Sequence, residues 1–302
     1  MNSQDIKKIV THSGNFHTDE VFACAVLSIF HSGAIEITRS RKPEAWTSAD
    51  YVVDVGGVYD AEKGRFDHHQ EGGAGARENG IPYSSLGLVW KHFGEQLCGS
   101  KEAALMIDEK LVQPVDAADN GKDMFTMNQG GVFPYLLHHV VASFRPTWKE
   151  DEMKQLTFDD GFARAMGIAR QVLEREIVIA RDVIEGRKHV DEIYHKSEDK
   201  RILVVPGQYP WEDVLNKYSE PIFVVKPDQV GKLWKVRTVR IHHESFASRK
   251  NFPKAWAGKT GEDFARISGV PDALFCHNSG TYIAVAGSKE GALKLAQIAL
   301  EN

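Results

Sequence analysis

The first half of the chain alternates short apolar runs with stretches in which apolar residues recur at helical spacing. Lys8-Ile9-Val10-Thr11 reads as a strand that stops at His12. A Gly-Asn turn follows. Residues 19–31 then place Val21, Phe22, Ala25, Val26, Ile29 and Phe30 on one helical face, with Thr18 in position to cap it. Residues 34–39 and 50–55 read as the second and third strands, and Arg65-Phe66-Asp67-His68 as a short fourth. Helices are expected near 85–97 and 101–113. Strands that alternate with helices predict an α/β domain with a largely parallel sheet.

From about Phe158 the pattern changes. Residues 161–194 are free of proline, rich in Ala, Arg and Glu, and apolar at Phe162, Met166, Ala169, Leu173, Ile177, Ala180 and Ile184. That spacing predicts one long amphipathic helix, read as a scaffold between two domains. Strands are expected at 201–205, 221–225, 234–239 and near 282–286, with helices at 211–217 and 289–300, which makes a smaller α/β unit. The expected division is 1–150 for a metal-binding catalytic domain and 151–302 for the linker helix with a substrate-binding domain.

The polar residues that interrupt this pattern carry the candidate chemistry. Asp67-His68-His69 follows the fourth strand and runs into a glycine-containing loop. His12, His17 and Asp19 follow the first strand, and Asp54 closes the third. In open sheets of this kind ligands bind beyond the carboxyl ends of the strands, so all three groups fall on one edge. Imidazole and carboxylate together suit manganese, iron, zinc and similar ions, and several such ligands suit a two-metal site that hydrolyses phosphate esters. His12, His17, Asp19, Asp54 and His68 are the expected ligands, with Asp54 or Asp19 as a bridge. Asp116 or Asp119, at the end of a helical pattern, is expected to complete the set, with the choice between them open. His31, His138, His139, His242 and His243 fit no such arrangement, and the two His-His pairs read as incidental.

Composition narrows the class. Of 302 residues, 42% are hydrophobic and 26% charged, which is ordinary for a globular protein. Three separated cysteines form no zinc pattern and no disulfide framework, and Cys24 and Cys276 read as core residues. No leader or membrane-spanning run is read, so a cytoplasmic location is expected. The net charge of -5 excludes a protein coated in positive charge but not a local basic surface. Residues 231–260 hold eight Lys/Arg against one acid, Glu244, interleaved with Trp234, Phe246, Phe252 and Trp256. Cations that meet phosphates and aromatics that stack on bases make the pattern of single-strand binding. Arg249, Lys250 and His277 are the expected substrate contacts.

Asp67-His68-His69, with an upstream His and Asp after the first strand and an Asp after a later one, resembles the DHH phosphoesterase superfamily. Within it the chain resembles the MYG1 family (UPF0160, once called metal-dependent protein hydrolases). Thr11-His12-Ser13-Gly14-Asn15-Phe16-His17-Thr18-Asp19-Glu20, Phe66-Asp67-His68-His69-Gln70 and Val115-Asp116-Ala117-Ala118-Asp119-Asn120-Gly121 carry the likeness. So do Ser245-Phe246 with Arg249, Pro253-Lys254-Ala255-Trp256-Ala257-Gly258 and Phe275-Cys276-His277-Asn278-Ser279-Gly280. The resemblance implies a DHH-like two-domain fold and a metal-dependent phosphodiesterase, most of all a 3′–5′ exonuclease on RNA or short single-stranded oligonucleotides. It implies Asp67 as an orienting or bridging residue and His69 as a phosphate contact. Manganese is the expected metal. His17 stands where the superfamily commonly has Asp, which admits zinc or iron, and magnesium is a further alternative. A small-molecule phosphatase or pyrophosphatase, and a metal-binding regulatory protein without turnover, are the competing readings; a homo-oligomer is left open.

Overall fold

The computed structural model describes residues 5–122, 124–126, 130–242 and 245–302. The chain divides into two compact units, Met1–Arg181 and Asp182–Asn302. His243 and Glu244, named above, lie outside the described residues.

In the first unit, β1 (Lys7–Thr11) leads into α1 (Thr18–Phe30), β2 (Ile35–Arg39), α2 (Pro43–Thr47), β3 (Tyr51–Val53), β4 (Tyr59–Asp60) and β5 (Arg65–Phe66). The sheet order is β2-β1-β3-β5-β4. All its pairs are parallel except the edge pair of β4 with β5, so the expected largely parallel sheet is present. The chain winds from β1 outward to β2 on one side, then returns to β3 on the other. The carboxyl ends of β1 and β3 therefore flank a topological switch point.

Helix α1 is buried along nearly its whole length, from Val21 to Ser28, and packs against α3 (Ser85–Cys98). The single helix expected near 101–113 is instead α4 (Lys101–Ile107), a π-helical turn over Asp108–Val112, and α5 (Gln113–Asp119). Pro114 has no N–H to donate into a regular helical ladder, which accounts for the irregular hydrogen bonding just before it. Two short helices, α6 (Leu137–Ala142) and α7 (Trp148–Glu152), precede the long α8 (Phe158–Lys196), and the boundary between the units falls inside α8.

The second unit adds β6 (Ile202–Val204), α9 (Glu212–Leu215), β7 (Phe223–Pro227), β8 (Trp234–Thr238), α10 (Gly261–Ser268), β9 (Ala273–Cys276), β10 (Ile283–Ala286) and α11 (Lys289–Glu301). Its sheet order is β6-β7-β8-β10-β9, with only β6 and β7 parallel. Val190, Tyr194, Trp211, Val214 and Leu215 cover Leu203 and Val224 in one core cluster. Phe264, Leu295 and Ala299 pack with Phe223, Val236, Phe252 and Trp256 in another. Among the described residues no helix is long and apolar enough to cross a membrane.

Candidate metal centre

The carboxyl ends of β1, β3 and β5 each deliver one part of the cluster. β1 stops at Thr11, so His12 is the first residue of the loop and is 3% exposed. His17 is the N-cap of α1, and Asp19 and Glu20 occupy its first turn, where the helix dipole favours anions. The Glu20 carboxylate accepts from the His17 N–H through both oxygens, each at 2.8 Å, which fixes the loop against the helix. Asp54 follows β3 with φ at 55°, a left-handed conformation that aspartate tolerates better than most residues. Its carboxylate accepts from Ser85 Oγ at 3.0 Å.

Asp54 is the junction of the cluster. Its Oδ2 lies 3.3 Å from His12 Nε2, and its Oδ1 lies 3.3 Å from His68 Nε2 and 3.4 Å from His69 Nδ1. His12 Nε2 also lies 3.0 Å from Glu20 Oε1, and His68 Nε2 lies 3.2 Å from Asp119 Oδ2. Three interlocked sets could hold a metal ion: His12, His17, Glu20 and Asp54; Asp54, His68 and His69; and His17, Asp19 and Asp119, with one donor atom from each residue of a set within 4.8 Å of the others.

Several of these atoms converge without bonding to one another. Both carboxylate oxygens of Asp19 are buried and meet no hydrogen-bond donor among the described residues. His68 Nε2 is buried too, and its contacts to Asp54 and Asp119 lack hydrogen-bond alignment. Buried acceptors of this kind are costly unless something positive meets them. Burial works against a charged His12, yet the carboxylates of Asp54 and Glu20 raise its imidazole to about 9. Burial likewise opposes a charged His68, which Asp119 and Asp54 raise to about 10. Asp54 is held well below the usual carboxylate range by His12 and His68 against the opposing effect of burial. Asp19 goes the other way: burial, then Asp54, Asp119 and Glu20, push it well above that range. The cluster thus draws positive charge onto its imidazoles, and a divalent cation would supply that charge. The donor chemistry and the unmet oxygens of Asp19 fit such an ion.

Asp67 does not join the ligand atoms. Its Oδ2 accepts from Gly57 N at 2.6 Å, and its Oδ1 accepts from His69 N at 3.1 Å and lies 2.7 Å from His69 Nδ1. Of the two roles expected for it, this geometry serves the orienting one. Asp116 and Asp119 also separate. Asp119 is in the cluster. Asp116 is fully buried and accepts from Arg77 Nη1 at 2.7 Å, Ser84 Oγ at 2.5 Å and Gly87 N at 3.0 Å. A Cβ at Gly87 would collide with that carboxylate, so the close approach requires glycine.

The expected substrate contacts belong to the second unit. Arg249 donates to the carbonyls of Arg240 at 3.1 Å and Pro221 at 3.0 Å, and Lys250 Nζ donates to the Leu300 carbonyl at 2.6 Å. Their polar heads are thus committed to backbone. His277 keeps an exposed position, with Nδ1 2.7 Å from Ser279 Oγ. Of the interleaved aromatics, Phe252 and Trp256 are core residues, whereas Phe246 is 90% exposed.

Two residues of the site escape a reading by motif. Glu20 sits in the cluster at 0% exposure; its signal was the acidic pair Asp19-Glu20 at a helix start, which reads equally well as capping. Arg41, from the loop after β2, brings Nη2 to 3.1 Å from His12 Nδ1, and no local pattern marks it. A guanidinium only donates, so in the neutral ring this nitrogen accepts and the proton sits on Nε2, toward Glu20 and Asp54.

The cluster opens onto a cavity of about 870 Å³ whose lining includes His17, Asp54, His68, His69 and Asp119. Both the loop motif and the cavity wall belong to segments that run through a family match. The family model MYG1_exonuc, described as "Uncharacterised protein family (UPF0160)", matches residues 8–300. The MYG1 exonuclease of Homo sapiens is 32% identical over 97% of this chain and 85% of its own length. MYG1 protein C694.04c of Schizosaccharomyces pombe is 31% identical over 98% of both chains. MYG1 protein YER156C of Saccharomyces cerevisiae is 31% identical over 99% of this chain and 97% of its own. With nearly every residue inside the match, the chain belongs to the MYG1 family.

Proposed function

We propose that this protein is a metal-dependent phosphodiesterase acting on nucleic acid, most specifically a 3′–5′ exonuclease on RNA or short single-stranded oligonucleotides. The observation that carries the reading is the set of interlocked carboxylate and imidazole donors around Asp54 at the edge of a large cavity. The name of the human relative, an exonuclease, supports the same reaction class.

His12, His17, Asp19, Glu20, Asp54, His68 and Asp119 would hold two divalent ions, manganese before zinc, iron or magnesium. When bound, such ions supply Lewis-acid stabilisation of a phosphoryl group and activate water near neutral pH. The chain's own contribution beside them centres on His69. Asp67 accepts the Nδ1–H of His69 and fixes the ring, so Nε2 is the nitrogen left to face a phosphate oxygen. The His69 side chain is 62% exposed, which a substrate contact requires. His277, on the second unit, is read as a contact to substrate phosphate or ribose.

The test is cleavage of 5′-labelled single-stranded RNA and DNA by metal-stripped protein, with Mn, Mg, Zn and Fe added back singly and His68→Ala as the control. A metal-dependent ladder that shortens from the 3′ end and is lost in the variant is expected. No cleavage with any metal, despite metal binding, would overturn the reading. The backbone commitments of Arg249 and Lys250 and the burial of Phe252 and Trp256 favour a smaller phosphorylated substrate as the second reading. Inorganic pyrophosphate in the same assay separates the two.

A further inference from the structure

The lining of the cavity beside the cluster is mixed. Besides the donor residues it includes Leu111, Pro114, Leu136 and Leu137, with His138 among them, and the polar Lys110, Asn120 and Arg145. Its volume of about 870 Å³ is far more than one phosphate needs and lies within the range of sites for whole small molecules. Ion-binding donors and apolar side chains around one cavity match a ligand that is anionic at one end and flat and apolar at the other.

His138 lines the cavity, and its pairing with His139 has a defined proton arrangement. His139 Nδ1 accepts the Leu136 N–H at 2.9 Å, closing the first turn of α6. In the neutral ring the proton of His139 must then sit on Nε2. That nitrogen lies 3.0 Å from His138 Nε2, so His139 donates and His138 accepts. The remaining proton of His138 is therefore on Nδ1. Burial first, then the neighbouring His139, lowers the His138 pKa, which keeps the ring neutral. His138 is thus a neutral donor on the cavity wall, held in one tautomer by its neighbour rather than placed there incidentally.

We infer that these lining residues form a nucleobase subsite, in which Leu111, Pro114, Leu136 and Leu137 receive the face of a base and His138 gives its Nδ1–H to a base acceptor. The ligand class is a nucleoside monophosphate unit, its phosphate directed to the carboxylate and imidazole cluster. The inference deepens the nuclease reading and rests on it for the phosphate end.

Calorimetry on the manganese-loaded full chain tests it, with uridine 5′-monophosphate, ribose 5-phosphate and inorganic phosphate as probes. The nucleotide is expected to bind about tenfold or more tightly than ribose 5-phosphate, the scale of one well-seated base. His138→Ala should remove most of that preference, and His138→Asn, whose amide can donate from nearly the Nδ1 position, should restore part of it. Equal binding of the nucleotide and ribose 5-phosphate to the wild-type protein would overturn the subsite. So would an unchanged preference in His138→Ala. If the preference holds while no oligonucleotide is cleaved, the subsite stands and the nuclease reading falls.

Discussion

Asp19 and Asp116 both lie at 0% exposure in the first unit, one on the first turn of α1 and the other on α5. Asp116 is met by Arg77, Ser84 and the Gly87 amide, and Arg77 is in turn held by Asp108 at 2.9 and 2.6 Å. Asp19 meets no donor at all among the described residues and has Glu20, Asp54 and Asp119 as charged neighbours. Burial and residue type are the same; the supply of donors is opposite. A buried carboxylate with every acceptor met is a fastening. One left unmet beside other carboxylates is stable only if it is waiting for a cation or carrying a proton.

The contrast breaks most sharply on activity. Asp19→Asn should reduce metal-dependent cleavage by about a hundredfold or more, since even residues that only support metal ligands cost ten- to a hundredfold. Asp116→Ala should leave the rate per folded molecule near wild type. A comparable loss in both variants, measured at equal folded concentration, would dissolve the distinction.

Stability should run the other way. Asp116→Ala leaves Ser84, the Gly87 amide and one arm of Arg77 without an acceptor, which costs about 3 kcal/mol. Urea unfolding of the metal-free protein reads this directly. The metal-free Asp19→Asn protein should be at least as stable as wild type, because the change removes a crowded buried acid. A marked fall in its midpoint would mean that Asp19 has a structural partner after all.

An exposed aspartate gives the smallest effect and the sharpest calibration. Asp50 accepts from the Lys8 amide at 2.8 Å, and this bond, helped by Lys7, holds its carboxyl below the usual range against slight burial. A depressed folded pKa contributes stability above the unfolded value, near 3.8, that is lost as pH falls through the folded one. Asp50→Asn should therefore lower the melting temperature slightly at neutral pH and leave it unchanged at low pH. A uniform offset at all pH values would assign the effect to packing instead.

The strand ends were legible because Ile9-Val10, Val52-Val53 and Phe66 are apolar runs that stop at polar residues, and the parallel order carried His12, Asp54 and His68 to one edge. The two-residue β4 and the five-residue α2 were not legible, since so few residues carry no period. Periodicity also reports which face is buried but not what meets it there. It could not choose between Asp116 and Asp119, three residues apart at the end of one helix, nor see that Glu20 serves the cluster as well as the helix. For the same reason Phe252 and Trp256 read as stacking surfaces, when their neighbours Phe223 and Phe264 make them core.

The π-helical turn at Asp108–Val112 preserves the angular phase of the helix after it. It accommodates one more residue than an α-helical turn would, and each residue of an α-helix advances the azimuth by about 100°. The wide turn absorbs that extra residue, so deleting a single residue from it would restore an unbroken helix and leave α5 near its present phase, with Asp119 still toward His68 and Asp116 toward Arg77. A one-residue gap here is therefore silent for the site: a chain shorter by one at this turn should still present the aspartate that corresponds to Asp119 to the metal centre, whereas a gap elsewhere in the helix would not.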